Sequence, residues 1–562
     1  MYRGTQVVGA HTITLSFDVG PFLCKHHPPM SIIPKNGRVA VIGGGVSGLT
    51  FSYYLLRLRP DLRISIFEKS NSPGGWISTE RLKNTTDGKE IVLEKGPRTL
   101  RGVSDGTLLI VDILRQLGHG DQVEVMRSTS DANRKWLLDP SNNLVQTPNS
   151  LMSFVKFMAS DITNGAIKSI LKEPFQKPSD TPGKDESIRN FFQRRFGLAA
   201  LADNILSAVM HGVYSGDISK LSINATLPRL VELEKEHGSL VKSMFKSMKK
   251  KKKTTTPTLS KQLAQYQSLI SPLADMISLS QKLKKFPIMR LHDGLQVFPK
   301  ILAEYLQRQS NVEIIYNSDV EKADLRGNLV VNGEQLSFNH VRYTLSTFGL
   351  AKMINDAELR RILNSFEHTT IFLANVYTKK KCLIPKGGSG FGFLVPIRNS
   401  NPECLLGVIY DSDCELDALS FFQEQAVPKA PYHKITLMMG GHFFNSRGIP
   451  STGINLKTVK KVLSDILHVE LSQFDNIIIR DEAKELDKMV NVTDNDLLIS
   501  YNLHKNCIPQ YNVGFLENVD KMKHLITQES RGHFTMGGTA LGKLGVPDCV
   551  MNSFEDAVYL SQ

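Results

Sequence analysis

Gly43, Gly45 and Gly48 stand in the spacing G-x-G-x-x-G, and Glu68 follows twenty residues beyond the last of them. Those residue types at that spacing can hold a dinucleotide. A glycine at 43 allows a sharp turn, one at 45 lets a pyrophosphate approach the backbone, and one at 48 lets a helix pack on a strand. The helix N-terminus then offers unpaired N–H groups and partial positive charge to the diphosphate. Glu68 can accept hydrogen bonds from an adenosine ribose, and its charge would repel a 2′-phosphate, which argues against NADP.

The flanking elements give the triplet its weight. Residues 38–42 form a short apolar strand, 43–48 a tight turn, and 49–58 a helix that Pro60 stops, since proline cannot continue one. Residues 63–67 form a second strand. Strand, helix and strand in about thirty residues predict a βαβ unit with a parallel pair. Two features favour FAD over NAD: Gly74-Gly75-Trp76 soon after Glu68, and Gly537-Gly538-Thr539 leading into a last helix over 549–560. In these two features the chain resembles FAD-dependent oxidases, and the resemblance implies a C-terminus that returns to the first domain and sets a helix N-terminus beside the flavin, where it would stabilise negative charge on the reduced ring.

At 562 residues the chain has room for roughly three or four domains. A formal net charge of +13 invites an anionic partner, yet five of those charges form the lysine run 249–253. No recognisable module interleaves basic with aromatic residues, so nucleic acid is not expected. The six cysteines lie far apart, with no CxxC pair and no Cys/His ligand spacing, which predicts reduced thiols and no metal. No apolar stretch reaches the ~18 residues of a membrane-spanning helix.

Further strands are expected near the cofactor unit at 312–316, 329–331 and 341–345, and in a second sheet at 370–377, 404–410 and 435–439. Residues 149–175 read as helical. Leu151, Phe154, Val155, Met158 and Ile162 share a face, and Ile167, Ile170 and Leu171 continue it after an Asn164-Gly165 break. That face either packs into a core or lies on a membrane. The acid-poor residues 1–36 read as a mitochondrial presequence or as a disordered extension. The lysine-rich insert 246–261 reads as a solvated loop, with anionic lipid as the alternative contact.

The stretches GRVAVIGGGVSGLTFSYYLLRLRPDLRISIFEKSNSPGGWI, LEKGPRTLRGVSDGT, LLDPSNNLVQTPNS, HGVYSGD, GFGFLVP, LLGVIYDS, IPQY and GVPD occur in one order from about residue 38 to the end. In these stretches the chain resembles the mitochondrial protoporphyrinogen oxidases of yeasts and related fungi, in the FAD-dependent oxidase superfamily. The resemblance implies an α/β fold: a Rossmann-like FAD-binding domain, an α+β substrate domain and a helical membrane-facing domain. It apportions the chain as FAD domain at 37–125, 286–350 and 506–562, helical and part-substrate domain at 126–285, and substrate domain at 351–505.

Carried over residue by residue, it places FAD against Gly43, Gly44, Gly45, Val46, Ser47, Gly48, Glu68, Trp76, Gly96, Pro97, Arg98, Thr99 and Val320, and near the end against Thr539, Leu544, Gly545 and Val546. Arg98 would meet a substrate propionate and Phe391 an apolar face of the macrocycle. The implied activity is oxidation of protoporphyrinogen IX to protoporphyrin IX by oxygen, with hydrogen peroxide as product. The implied setting is a homodimer peripheral to the inner mitochondrial membrane, with ferrochelatase as a partner for hand-over. Leu541, Lys543 and Pro547 depart from the family's usual residues.

That chemistry suits these residues. Hydride leaves a carbon bridge while the neighbouring pyrrole nitrogen pushes electrons in, so no protein nucleophile, and no catalytic side chain, is nominated. The protein must position the ring and its carboxylates. An arginine suits a carboxylate through its planar fork. Arg98 has as alternatives an internal ion pair or a contact to FAD, Arg101 is a second candidate for the propionate, and Phe391 has core packing as its alternative. Rival activities are coproporphyrinogen oxidation, an amine oxidase or carotenoid desaturase, and a flavin-free binding protein of the same fold.

Overall fold

The computed structural model describes residues 33–148, 151–163, 166–177, 184–197, 201–250, 258–426, 431–481, 487–542 and 544–562. Most of the expected N-terminal extension, the Asn164-Gly165 break, Lys543 and the lysines at 251–253 lie outside the described residues.

The βαβ unit forms as expected. β1 (Arg38–Ile42) is followed by α1 (Val46–Leu58) and β2 (Arg63–Phe67). Val39, Ala40, Val41 and Ile42 are all buried, the pattern of a parallel strand covered on both faces. Three more strands, β3 (Val312–Ile315), β4 (His340–Tyr343) and β5 (Phe534–Met536), complete a parallel sheet in the order β3-β2-β1-β4-β5. The sheet thus draws on widely separated parts of the chain. Ile42 pairs with both Phe67 and Tyr343, so the turn after β1 opens at the same edge where β2 ends.

The last helix, α2 (Val546–Ser561), closes the unit. It packs on α1 in an apolar layer that includes Leu49, Phe51, Val550 and Phe554. The Ser553 hydroxyl donates to the Ser47 carbonyl at 3.0 Å. Residues 329–331 belong elsewhere than their neighbours in sequence suggest. They lie in an antiparallel three-stranded meander, Val320–Ala323, Asn328–Val331 and Glu334–Ser337, rather than in the parallel sheet. Asn332 and Gly333 both take positive φ, and such a two-residue turn folds a strand straight back on its neighbour.

The second sheet has eight strands. The three expected in it are His368–Thr378, Leu405–Ile409 and His433–Gly441, which run side by side with His433–Gly441 in the middle. Leu497–Pro509 and Ile477–Asp481 extend one side; Gly392–Leu394, Lys135–Leu138 and Leu144–Gln146 extend the other. Its far face buries Phe372, Leu437, Val459 and Leu463.

The helical run at 149–175 is broken into pieces: helices Leu151–Met158 and Ala166–Lys172 and single turns Asp161–Thr163 and Glu173–Phe175. Only part of its apolar face packs inward. Phe157 and Ile162 are buried, while Phe154, Val155, Ile167, Leu171 and Phe175 face outward. No helix among the described residues is long and apolar enough to cross a membrane.

Packing is tight at Gly48, where an added Cβ would meet the Gly43 carbonyl oxygen at 2.0 Å. At Gly45 an added Cβ would find nothing nearer than 3.7 Å. Gly48→Ala is therefore expected to cost about 1–3 kcal/mol by overpacking. Gly45→Ala should leave the thermal midpoint of the FAD-stripped protein unchanged and lower only its FAD content after reconstitution. Melting curves with flavin absorbance check both outcomes.

Candidate active site

The turn from β1 to α1 is shaped by its glycines. Gly43 has φ +109°, a region open to glycine and strained for other residues. Gly48 lies on the Gly43 carbonyl, as the sequence spacing requires for helix and strand to touch. Gly45 is different, because its extended φ of −78° and its open surroundings give the fold no reason to exclude a side chain. Keeping the space above the turn clear is the reason left, and it is the reason a diphosphate would supply. α1 carries no side-chain cap hydrogen bond and no acidic residue in its first turn, so its own first turn does not answer its N–H groups and partial positive charge.

Glu68 sits at the end of β2 beside that turn. One carboxylate oxygen accepts from the Gly44 N–H at 2.7 Å. The other accepts from the Ser70 N–H at 2.8 Å and the Ser70 hydroxyl at 2.6 Å. The same acid that would face a ribose also holds the glycine turn. Val320 starts the meander close by, buried in a cluster with Phe67. Near the C-terminus, Thr539 lies in a one-turn helix after Gly538, and its carbonyl accepts from the Tyr511 hydroxyl at 2.8 Å. Leu544 and Gly545 lead into Val546, the first residue of α2, whose start is also free of a side-chain cap. Val46 and Ser47 begin α1, and an added Cβ at Gly538 would lie 3.5 Å from the Ser47 hydroxyl, so the C-terminal glycine segment reaches the glycine turn. These residues fit FAD: a clear-topped glycine turn and uncapped helix starts for the diphosphate and ring, and a carboxylate for the ribose.

Gly74-Gly75-Trp76 runs beside the turn, with Gly45 and Gly74 forming an isolated parallel bridge. Trp76 is half exposed and meets His504 of the second sheet edge to face, with ring centroids 5.8 Å apart. Gly96 presses on the Trp76 carbonyl, where an added Cβ would come within 2.0 Å. Pro97 is exposed and Thr99 half-buried on the same segment.

Arg98 adopts the internal alternative. Its guanidinium donates to Asp411 at 2.8 Å and to the Thr436 hydroxyl, and Thr436 donates to the other Asp411 oxygen at 2.6 Å. Arg98 and Asp411 are 7% and 5% exposed. The carboxylate that Arg98 meets is thus the protein's own. Phe391 is half-buried against Met126, Ala132, Ile288 and Cys414, and its N–H donates to the Arg134 carbonyl at 2.7 Å.

The Arg98 pair is one of several that tie the FAD unit to the second sheet. Lys95 pairs with Glu80 at 3.0 Å, and Arg480 meets the same acid at 2.9 Å. Burial alone would raise the Glu80 carboxyl, but the adjoining Lys95 and the Arg480 and Ser500 hydrogen bonds hold it below its usual range. Lys434 pairs with Glu415 at 2.6 Å, and Arg290 joins Glu415 to Glu124. Glu94 is the exception. Burial pushes it up to about 7 against the Thr79 and Leu295 donors.

The comparisons with known proteins agree with this geometry. The flavin-containing amine oxidoreductase family matches residues 46–415. The protoporphyrinogen oxidase of Saccharomyces cerevisiae is 35% identical over 558 residues, covering 95% of this chain and 99% of the yeast protein. The chain belongs to the protoporphyrinogen oxidase family. As a member it is an FAD-dependent oxidoreductase. The family's Schizosaccharomyces pombe protein is 25% identical, covering 92% of this chain and 97% of that one. A solved structure from Exiguobacterium sp. 255-15, assigned provisionally to the same oxidases, superposes with a TM-score of 0.65. It covers 95% of this chain and 99% of that one at 18% identity, which shows the shared fold.

Asp411, Thr436 and Glu94 are the buried polar neighbours of Arg98 that the sequence did not nominate. Asp411 lies 313 residues from Arg98, and only the tertiary fold brings them together. The signal available was the arginine itself, since a buried guanidinium demands an acid. If the pair is structural, Arg98→Met lowers stability by about 3–5 kcal/mol because Asp411 is left buried and unpaired. Asp411→Leu added to it then restores most of the loss. A thermal midpoint unmoved by Arg98→Met, with a raised KM, would return Arg98 to the substrate.

Proposed function

We propose that this chain oxidises protoporphyrinogen IX to protoporphyrin IX in haem biosynthesis, with oxygen as final acceptor and hydrogen peroxide as product. The observation that carries the reading is family membership over nearly the whole chain, with an FAD cradle set against a broad sheet. Bound FAD supplies the two-electron acceptor. The chain's own part is positional. Phe391 offers an apolar wall, and the buried pairs of Arg98 with Asp411, Arg480 with Glu80 and Arg290 with Glu415 fix the sheet against the cofactor unit. The pyrrole nitrogen provides the electron push and afterwards loses its proton, so the reaction asks for neither a protein nucleophile nor a strong base. Coproporphyrinogen, with four carboxylates, would call for more cations around the slot, and product analysis with both substrates separates the two.

The setting we propose is the inner mitochondrial membrane, peripherally bound. Leu171 and Phe175 are 67% and 87% exposed, beside outward-facing Phe154, Val155 and Ile167. Lys156, Lys168 and Lys172 are exposed among them. An apolar face fringed by lysines is what a helix lying in a bilayer surface presents. A homodimer and hand-over of product to ferrochelatase follow from the resemblance.

Two measurements check this reading. Anaerobic protoporphyrinogen IX should bleach the flavin band, and air should restore it with release of hydrogen peroxide; a flavin that stays oxidised contradicts the function. Replacing Phe154, Leu171 and Phe175 together by serine should reduce flotation with liposomes and leave FAD content intact. Undiminished flotation would place the membrane face elsewhere.

A further inference from the structure

The helix Leu240–Lys250 turns a small residue inward and a large one outward. Ser243 is 3% exposed, whereas Met244 is 47% exposed and Lys242 and Lys246 are open to solvent. At about 100° per residue, Leu240, Val241, Met244, Phe245 and Met248 fall on one arc of the helix. Lys242, Lys246, Lys249 and Lys250 fall on another. The helix is seated by its Ser243 side, with Leu240, at the edge of the apolar arc, resting on the core. A helix that packs by its apolar stripe would show the reverse. From 238 to 253 the sequence holds seven lysines and no acid.

The start of this helix is fixed to the outward-facing residues Leu171 and Phe175. Glu173 stands between those two in the chain and is fully enclosed. Its carboxylate accepts from the Leu240 N–H at 2.9 Å, the Val241 N–H at 3.2 Å and the Ser239 hydroxyl at 2.5 Å. An acid in that place answers the partial positive charge of the helix start, and Arg195 pairs with the same acid. The helix therefore springs from the turn that exposes Phe175, with Lys168 and Lys172 exposed on the helix before that turn. Acids of the preceding helix, Pro228–His237, are engaged elsewhere. Glu232 and Glu236 meet Arg229, and Glu234 meets Arg194 and Arg195.

We propose that the helix Leu240–Lys250 is a second contact with the bilayer and makes the protein select membranes rich in anionic phospholipid. The arc of Val241 and Met244 enters the boundary between headgroups and acyl chains, and the lysine arc meets lipid phosphates. Charge complementarity chooses this occupant. A basic arc beside an apolar one matches a surface that offers a plane of negative charge over hydrocarbon, and lysines clustered on an amphipathic helix bind such lipid. The assignment rests on the bilayer contact proposed above for Leu171 and Phe175, and adds to it the class of lipid that is read.

The test compares two bilayers. The FAD-loaded full chain is floated with vesicles of phosphatidylcholine alone and with vesicles that also contain phosphatidylglycerol. The wild type should prefer the anionic vesicles by about tenfold or more, and rising salt should erase the preference. Replacing Lys242, Lys246, Lys249 and Lys250 together by glutamine should abolish the preference and keep flotation with the neutral vesicles. Arginine at the same four positions should restore it. Met244→Ser should weaken flotation with both vesicles, and FAD content should be unchanged in every variant. Equal flotation of the wild type with both vesicles, or a preference that survives the glutamine variant, overturns the proposal. A wild type indifferent to lipid charge yet retained on immobilised polyglutamate places an acidic protein on this helix and overturns it too. Flotation with neither vesicle overturns the bilayer contact itself, which the neutral vesicles read without the lysines.

Discussion

The start of α1 rests on the carbonyl oxygen of Gly43, so close that a single methyl group at Gly48 could not be admitted. That contact fixes the angle at which the helix leaves β1 and points its unpaired N–H groups at one small region of space. Glu68 holds the same turn from the end of β2 through the Gly44 N–H, and Ser553 holds the helix from α2. Segments remote in sequence converge there because the parallel sheet has its edge there. A shift of the helix by the width of a methyl group would misplace all of them together.

The second constraint is the set of ion pairs that joins this unit to the broad sheet. Taking charges out of water is expensive, and a buried pair returns little net stability compared with apolar residues of the same shape. Its contribution is geometric. Glu80 holds Lys95 and Arg480, Asp411 holds Arg98, and Glu415 holds Lys434 and Arg290, each joining chain segments far apart in sequence. Breaking one pair leaves a charge stranded in low dielectric, so the seam resists sliding. A slot between a cofactor unit and a sheet needs such a seam, because hydride transfer depends steeply on distance.

Much of the cofactor unit was legible in the sequence because backbone geometry dictates residue type there. A turn with φ +109° and a helix start against a carbonyl oxygen demand glycine, so Gly43 and Gly48 can be read without any partner. Strands at 370–377, 404–410 and 435–439 were legible from apolar runs, though their order was not. The apolar run at 329–331 shows a strand and not its sheet; the Asn332-Gly333 turn, a strong hairpin signal, is what folds it into the meander. The face at 149–175 stayed ambiguous for a physical reason: periodicity shows that a helix has an apolar side and says nothing of what covers it. Arg98 shows the same limit for charge, since its partner is set by strand pairing that composition does not encode.

The central claim is that the Gly43–Gly48 turn and Glu68 hold the adenosine diphosphate half of FAD. The most direct measurement is a titration of the flavin-stripped chain with FAD and with flavin mononucleotide, which carries the same ring and lacks that half. Several lost contacts worth about 1.5–3 kcal/mol each predict that FAD binds more than about a hundredfold tighter. Equal affinity for the two flavins would contradict the account.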